Sequence, residues 1–518
     1  MAETKIIRNG NVVTCDAQHR AGPMCILVRE DRIAELGTDA DAAVARYPEA
    51  EVIDAADKVI FPGFVDAFYE GDSFILRHLA PPEHATPRQR NAHLKKGLAF
   101  LRKEADKDQL GLAYRAAYFS ALKSGITYLA EAGFDNLDLP LEAARASLRR
   151  SDLKGTIALR NGDQIENAKR STPGTVRYAC ALPSEDELTV YNLQSSLRIA
   201  QEQQWPILVR LGATRKGHET LKRTFQRSAV QILKEYGLLN HKLEVVQLNN
   251  FEGDDIGVLA QTAIPMVVSP QASLIGATPV PPLAHLVAAN IPLALGTSWG
   301  SPDPFANMRA LQLLLKGVGM APLDPFDLLA THTLIAARAL AIDQETGSIE
   351  IGKKADLVIV DVGDIRLQHL GRALPLRGSL STLLQELTPF HVSDVMINGE
   401  FFVRRGEIMT YAEEDLRRET NDLVRLVTER TGEAAERRPP EQSRRRTAPI
   451  LPLIPKPREE EAAAPADQPG EGREEESLHE AEKREDGSSA VEKPEDQPPK
   501  SVELPKSVKR VFGEDDFV

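Results

Sequence analysis

The sequence predicts an α/β fold. It reads as a TIM-like (β/α)8 barrel, joined to a small composite β-sandwich built from both ends of the ordered region and followed by a disordered C-terminal tail. Three observations predict it: strand-rich segments flank a long helix–strand alternation, that alternation lacks a nucleotide-binding glycine turn, and the composition changes abruptly near residue 433.

Residues 1–60 give the first part of the sandwich. "KIIRNGNVVTCD", "MCILVREDRIAELG" and "AEVIDAADKVIFPG" are short Val/Ile/Leu runs broken by Asn-Gly, Glu-Asp and Gly, the pattern of hairpins. Residues 347–412 repeat it in "KADLVIVDVG" and "HVSDVMINGEFFVRRGEIM", and give the second part. Between them, residues 61–346 alternate. Helical patterns such as "DQLGLAYRAAYFSALKSG" and "FQRSAVQILKEYG" precede "ITYLAEAG" and "LEVVQLNN", and "WPILVRLGA", "IPMVVSP" and "IPLALGTS" continue the series. Short apolar runs between helices are strands of a parallel sheet, buried on both faces. A doubly wound open sheet is the alternative, but no G-x-G-x-x-G turn follows the early strands. A barrel of this kind carries its site at the C-terminal strand ends.

Residues 413–432 read as a helical extension. Residues 433–518 read as a disordered tail rich in proline and charge, able to recruit a protein partner. Within it, "ILPLIPKP" is expected to be extended. The formal net charge of −13 argues against a nucleic-acid partner. Cys15, Cys25 and Cys180 are too few for a disulfide framework, which suits a reducing cytoplasm. The start has no signal-peptide core, and no apolar run reaches the length of a membrane span.

The order of the pieces carries a resemblance. "PGFVDA", the barrel, "ATHTLIAARALAIDQETGSIEIGKKADLVIVD" and "DVMINGEFFVRRGEI" are similar to the amidohydrolase superfamily, in its cytosine deaminase, guanine deaminase and triazine hydrolase branch. The resemblance covers roughly residues 4–412. It implies hydrolysis of C–N or C–Cl bonds by a Zn or Fe ion held by histidines and an aspartate, with a glutamate moving protons. It also implies a small-molecule ligand and, from the family's habit, a homodimer.

Carried over residue by residue, the ligand positions are all changed. The His-x-His pair falls on Phe68 and Glu70, the His-x-x-Glu pair on Arg210 and Ala213, the next histidine on Gln247, and the aspartate on Ser298. The metal ligands and the acid–base glutamate are therefore missing, and no metal or other cofactor is expected. Arg210 would put a permanent positive charge where a dication would sit. Glu70 either pairs with Arg210 or faces solvent at the rim.

Other ionisable groups are weaker candidates. Glu70, Glu131 and Asp303 could supply a catalytic carboxylate. Glu131 more often makes a salt bridge, and Asp303 caps a turn. Asp66 reads as structural, His332 as a core or capping histidine, and Cys180 as buried. His78 and His285 lack metal-ligand spacing. "GATRKGHET" lacks the ending of a phosphate loop.

The leading expectation is thus an amidohydrolase fold without metal or hydrolase activity, a pseudoenzyme acting as scaffold or small-molecule binder. One alternative is an active hydrolase acting on non-peptide C–N bonds with a rearranged site. Another is an anion-binding sensor using Arg210.

Overall fold

The computed structural model describes residues 3–431, except 38, 80–86, 134–139, 161, 172–173, 240–242, 277 and 369–375. The tail of residues 433–518, with its "ILPLIPKP" stretch, lies outside the described residues.

Both ends of the described chain meet in one sheet. Leu357–Asp361 pairs antiparallel with Lys58–Pro62 on one edge and with Val392–Ile397 on the other. That seven-stranded sheet faces a four-stranded one made of Thr4–Arg8, Cys25–Arg29, Arg32–Gly37 and Glu51–Asp54. Ile7, Val28, Ile60, Leu357, Ile359 and Met396 share one buried cluster, which makes the pieces a composite sandwich. The chain leaves it at Pro62 and enters the barrel at Phe64, so "PGFVDA" is the crossing point.

The barrel has eight parallel strands in sequential order: β1 (Phe64–Tyr69), β2 (Ile126–Glu131), β3 (Lys154–Leu159), β4 (Val176–Ala181), β5 (Ile207–Val209), β6 (Leu243–Val246), β7 (Met266–Val268) and β8 (Leu293–Leu295). β3 and β4 were not legible as strands, because Gly155, Thr156, Ala158 and Arg177 dilute their apolar runs. The interior is lined mostly by small residues, including Ala67, Ala130, Ala158, Ala179 and Ala294.

Helices cover the outside. Lys107–Lys123 starts at an Asp106–Gln109 capping box, and Ala229–Glu235 at a Ser228–Gln231 box. "GATRKGHET" is the Thr214-capped start of the helix Arg215–Phe225. A final helix, Glu413–Thr431, follows the sandwich. Among the described residues, no helix is long and apolar enough to cross a membrane.

Two features position the site. The β1–β2 register shifts between Asp66 and Tyr69, a bulge that re-aims the end of β1. Val65, Ala67 and Phe68 all join the interior cluster, whereas Tyr69 turns outward and its hydroxyl donates to Ala117 O at 3.4 Å. The barrel then closes just beyond β8, where Tyr69 bridges Ser298 in parallel register.

Candidate functional site

The closure is part of the site. Ser298 N donates to Phe68 O at 2.8 Å and Glu70 N donates to Ser298 O at 3.2 Å. On the side-chain level, Ser298 Oγ donates to Glu70 Oε2 at 2.6 Å. The other carboxylate oxygen, Oε1, faces Arg210 Nη1 at 3.4 Å. Glu70's side chain is 1% exposed and Arg210's 19%, so the pair is an internal one and not a solvent-facing rim. Phe68 is fully buried beneath them, its ring 5.6 Å from the guanidinium carbon, within cation–π range.

Backbone geometry reinforces this placement. Ser298 (φ +55°) and Gln247 (φ +49°) both sit in the left-handed region, which non-glycine residues seldom adopt and which concentrates at functional sites. Gly296 must lack a side chain, since a Cβ there would lie 2.6 Å from Phe68 N and Cβ.

Glu70, Arg210, Ala213, Gln247 and Ser298 line one pocket at the C-terminal strand ends. Five of the six predicted positions are thus brought together, and the sixth, Phe68, forms the packing below. Asn249 and Trp299 also line the pocket but escaped the sequence reading. Their only signal is position, since each lies within a few residues of a strand end or of Ser298. Asn249 Nδ2 donates to Ala213 O (2.9 Å) and Pro279 O (3.1 Å), tying three loops together.

The remaining candidates lie elsewhere. Glu131 does not face the chemistry. It alternates with the inward Tyr128 and Ala130, and so points out of the barrel. Among the described residues it makes no salt bridge either. Its carboxyl accepts from Gly71 N (3.1 Å), Gly133 N (3.2 Å) and Tyr118 Oη (3.0 Å). Burial and the neighbouring Asp72 push it well above the ordinary carboxylate range. Asp303 is the N-cap of the helix Pro304–Gly317, accepting from Ala306 N at 2.9 Å, and is not among the described residues that line this pocket.

Asp66 is structural, as its position suggests. It accepts from Thr297 N at 2.9 Å and Phe68 N at 3.2 Å, pairs with Thr297 Oγ1, and is pushed up to about 7 by burial. His332 is a core histidine. Its Nδ1 donates to Val65 O at 3.1 Å, its Nε2 accepts from Asn307 Nδ2 at 3.1 Å, and burial lowers it to about 4. His78 bonds Ile75 O (2.9 Å) and Thr428 Oγ1 (2.8 Å), and His285 is exposed. Burial raises the Cys180 thiol to about 12, which leaves it inert at neutral pH.

The donor set does not fit a divalent metal. Phe68 and Ala213 have no lone pair to give, and Glu70 already accepts from Ser298 and faces Arg210. A dication about 4 Å from the guanidinium would meet ~8 kcal/mol of repulsion at an effective dielectric of about 20. Among the described residues, no group of three or more His, Cys, Asp or Glu side chains could hold a metal ion.

A family model described as the amidohydrolase family matches residues 59–402. The chain belongs to the amidohydrolase family. A 5-methylthioadenosine/S-adenosylhomocysteine deaminase of Moorella thermoacetica is 25% identical over 410 residues, covering 76% of this chain and 93% of its own. An adenosine deaminase of Xanthomonas campestris, solved with bound zinc, superposes with a TM-score of 0.71 at 20% identity, covering 82% of this chain and 98% of its own. A mutant atrazine chlorohydrolase of Arthrobacter aurescens, complexed with zinc and atraton, gives a TM-score of 0.70 at 16% identity, covering 81% and 99%.

These relatives correct the expectation of a chain without hydrolase activity. An amidohydrolase aligned over nearly the full length of a protein named as a deaminase is better read as a hydrolase. The physical reason lies in the pocket. Where the family resemblance implies metal ligands, the pocket at the C-terminal strand ends holds an ordered carboxylate, hydroxyl and guanidinium.

Proposed function

We propose that this amidohydrolase is an active hydrolase of non-peptide C–N bonds with a rearranged site, and that amino-substituted purine nucleosides are its substrate class. The observation that carries the reading is the Glu70–Ser298–Arg210 cluster, a buried carboxylate held at both oxygens in the pocket at the C-terminal strand ends. The name of the Moorella relative supports the substrate class.

Glu70 is the group suited to move protons. In the hydrolysis, water oxygen bonds to the ring carbon that bears the amine. One water proton passes to Glu70 and from there to the leaving nitrogen. The C–N bond breaks, ammonia leaves, and the second water proton moves from the retained oxygen to the ring nitrogen, which gives the lactam. No electrons are exchanged with a co-reactant. Ser298 and Arg210 fix the two carboxylate oxygens, so the proton-moving group is oriented before substrate arrives.

The test is to incubate the purified full-length protein with 5-methylthioadenosine, S-adenosylhomocysteine and adenosine, and to follow ammonia and the lactam product. Release of both, lost in Glu70→Gln, supports the reading. A silent protein across these nucleosides and a panel of cyclic amides and aminated heterocycles removes it.

A further inference from the structure

The pocket lacks the residues for a divalent ion yet contains a fixed cation, and the two facts are connected. Of the positions Phe68, Glu70, Arg210, Ala213, Gln247 and Ser298, one is a carboxylate and one a guanidinium, and they face each other. Arg210 is anchored from two sides: Glu70 Oε1 at 3.4 Å and the Phe68 ring at 5.6 Å. Its side chain remains 19% exposed, on the pocket wall. A guanidinium carries five N–H donors in a fixed plane. One directed to Glu70 leaves others for a ligand.

We propose that the Arg210 guanidinium takes the place of the divalent cation in this pocket. Phe68 and Glu70 are the residues that make it a fixed group and not a flexible surface arginine. Phe68 supplies a π face for the guanidinium but no lone pair for a metal ion, and Gly296 leaves that ring its room. The exposed edge of Arg210 then binds the acceptor atom of a planar heterocycle, a ring nitrogen or carbonyl oxygen, on which negative charge grows as water adds. Donors aimed at developing charge act in this way without needing a metal. Planar, delocalised Arg fits such a role better than Lys. The substrate side of this proposal rests on the hydrolase reading above; the cation side does not.

The experiment has two arms. In the first, the untagged full-length protein is incubated with equimolar zinc, iron or manganese salts, desalted, and its metal measured by mass spectrometry. The melting temperature is followed with zinc and with dipicolinate. The proposal expects less than about 0.1 equivalent of metal and a melting temperature indifferent to both reagents. Retention of about one equivalent, with melting lowered by the chelator, overturns it whether or not any substrate is turned over.

In the second arm, Arg210→Met and Arg210→Lys are compared with wild type. Loss of one such donor lowers turnover by about 10²-fold, so Arg210→Met is expected to lose at least that in kcat with KM changed far less. Arg210→Lys is expected to recover part of it. A purely structural arginine would shift melting and leave the kcat of the remaining folded enzyme intact, which overturns the catalytic side. If a metal-loaded protein turns over nucleosides, the hydrolase reading stands and this proposal falls. If a metal-free protein turns over nothing, the hydrolase reading falls, and with it Arg210's part in turnover, while its place as the pocket's cation stands on the first arm.

Discussion

Arg210→Met should destabilise the protein by removing the cation that a buried carboxylate faces. Breaking a fully buried ion pair by deleting one partner costs about 3–5 kcal/mol. Three details reduce that figure here. The separation is 3.4 Å, longer than an ideal contact, Arg210's side chain is 19% exposed, and Ser298 still donates to Glu70 at 2.6 Å. The expected loss is about 2–3 kcal/mol. Glu70→Gln alone should cost less, because the orphaned arginine has solvent to turn to. Removing both charges in Glu70→Gln/Arg210→Met should return the protein to within about 1 kcal/mol of wild type, a coupling of ~2 kcal/mol. Urea unfolding at constant pH and ionic strength, with transitions compared by two probes, reads all four proteins. A double variant as unstable as the sum of the singles would refute the claim that these residues form one buried pair.

Substitutions at three further positions probe the support around the pocket. Asp66 is raised from 3.8 to about 7 by burial, so its contribution to stability is full at low pH and is lost as pH rises through 7. Asp66→Asn should therefore gain roughly 2–3 kcal/mol on wild type between pH 5 and pH 8, read as a widening melting difference; a constant difference contradicts it. Ser298→Gly and Ser298→Ala both lose the bond to Glu70, but only glycine relieves the φ of +55°, so glycine should be the more stable by about 1 kcal/mol in the same unfolding assay. Gly296→Ala forces a Cβ to within 2.6 Å of Phe68 and should cost about 2 kcal/mol in denaturant titration, while impairing turnover by shifting Phe68.

The barrel was legible because its strongest strands are uniformly apolar. Met266–Val268 and Leu293–Leu295 sit between clear helices, and hairpin punctuation marks the sandwich at both ends. Lys154–Leu159 and Val176–Ala181 were not, since a strand packed in a barrel can use glycine, threonine and alanine, which carry little periodic signal. The positions of the pocket residues came from the family resemblance, carried over residue by residue, and five of them converge. Directions were harder. A one-residue change of parity sends Glu131 outward, and the bulge at the end of β1 places Phe68 inward and Tyr69 outward, which no linear pattern announces. The functional expectation failed for a related reason. Six changed positions imply a loss, whereas the structure shows that Glu70 contacts both Arg210 and Ser298.

The most direct measurement is ammonia release from 5-methylthioadenosine by the purified wild-type protein beside its Glu70→Gln variant, with the purine product identified by mass and ultraviolet spectrum. The account predicts ammonia and lactam product in equal amounts from wild type, with a rate at least 10²-fold lower in the variant. Equal rates in the two proteins would contradict it, as would no product from this nucleoside or from any other aminated heterocycle in the panel.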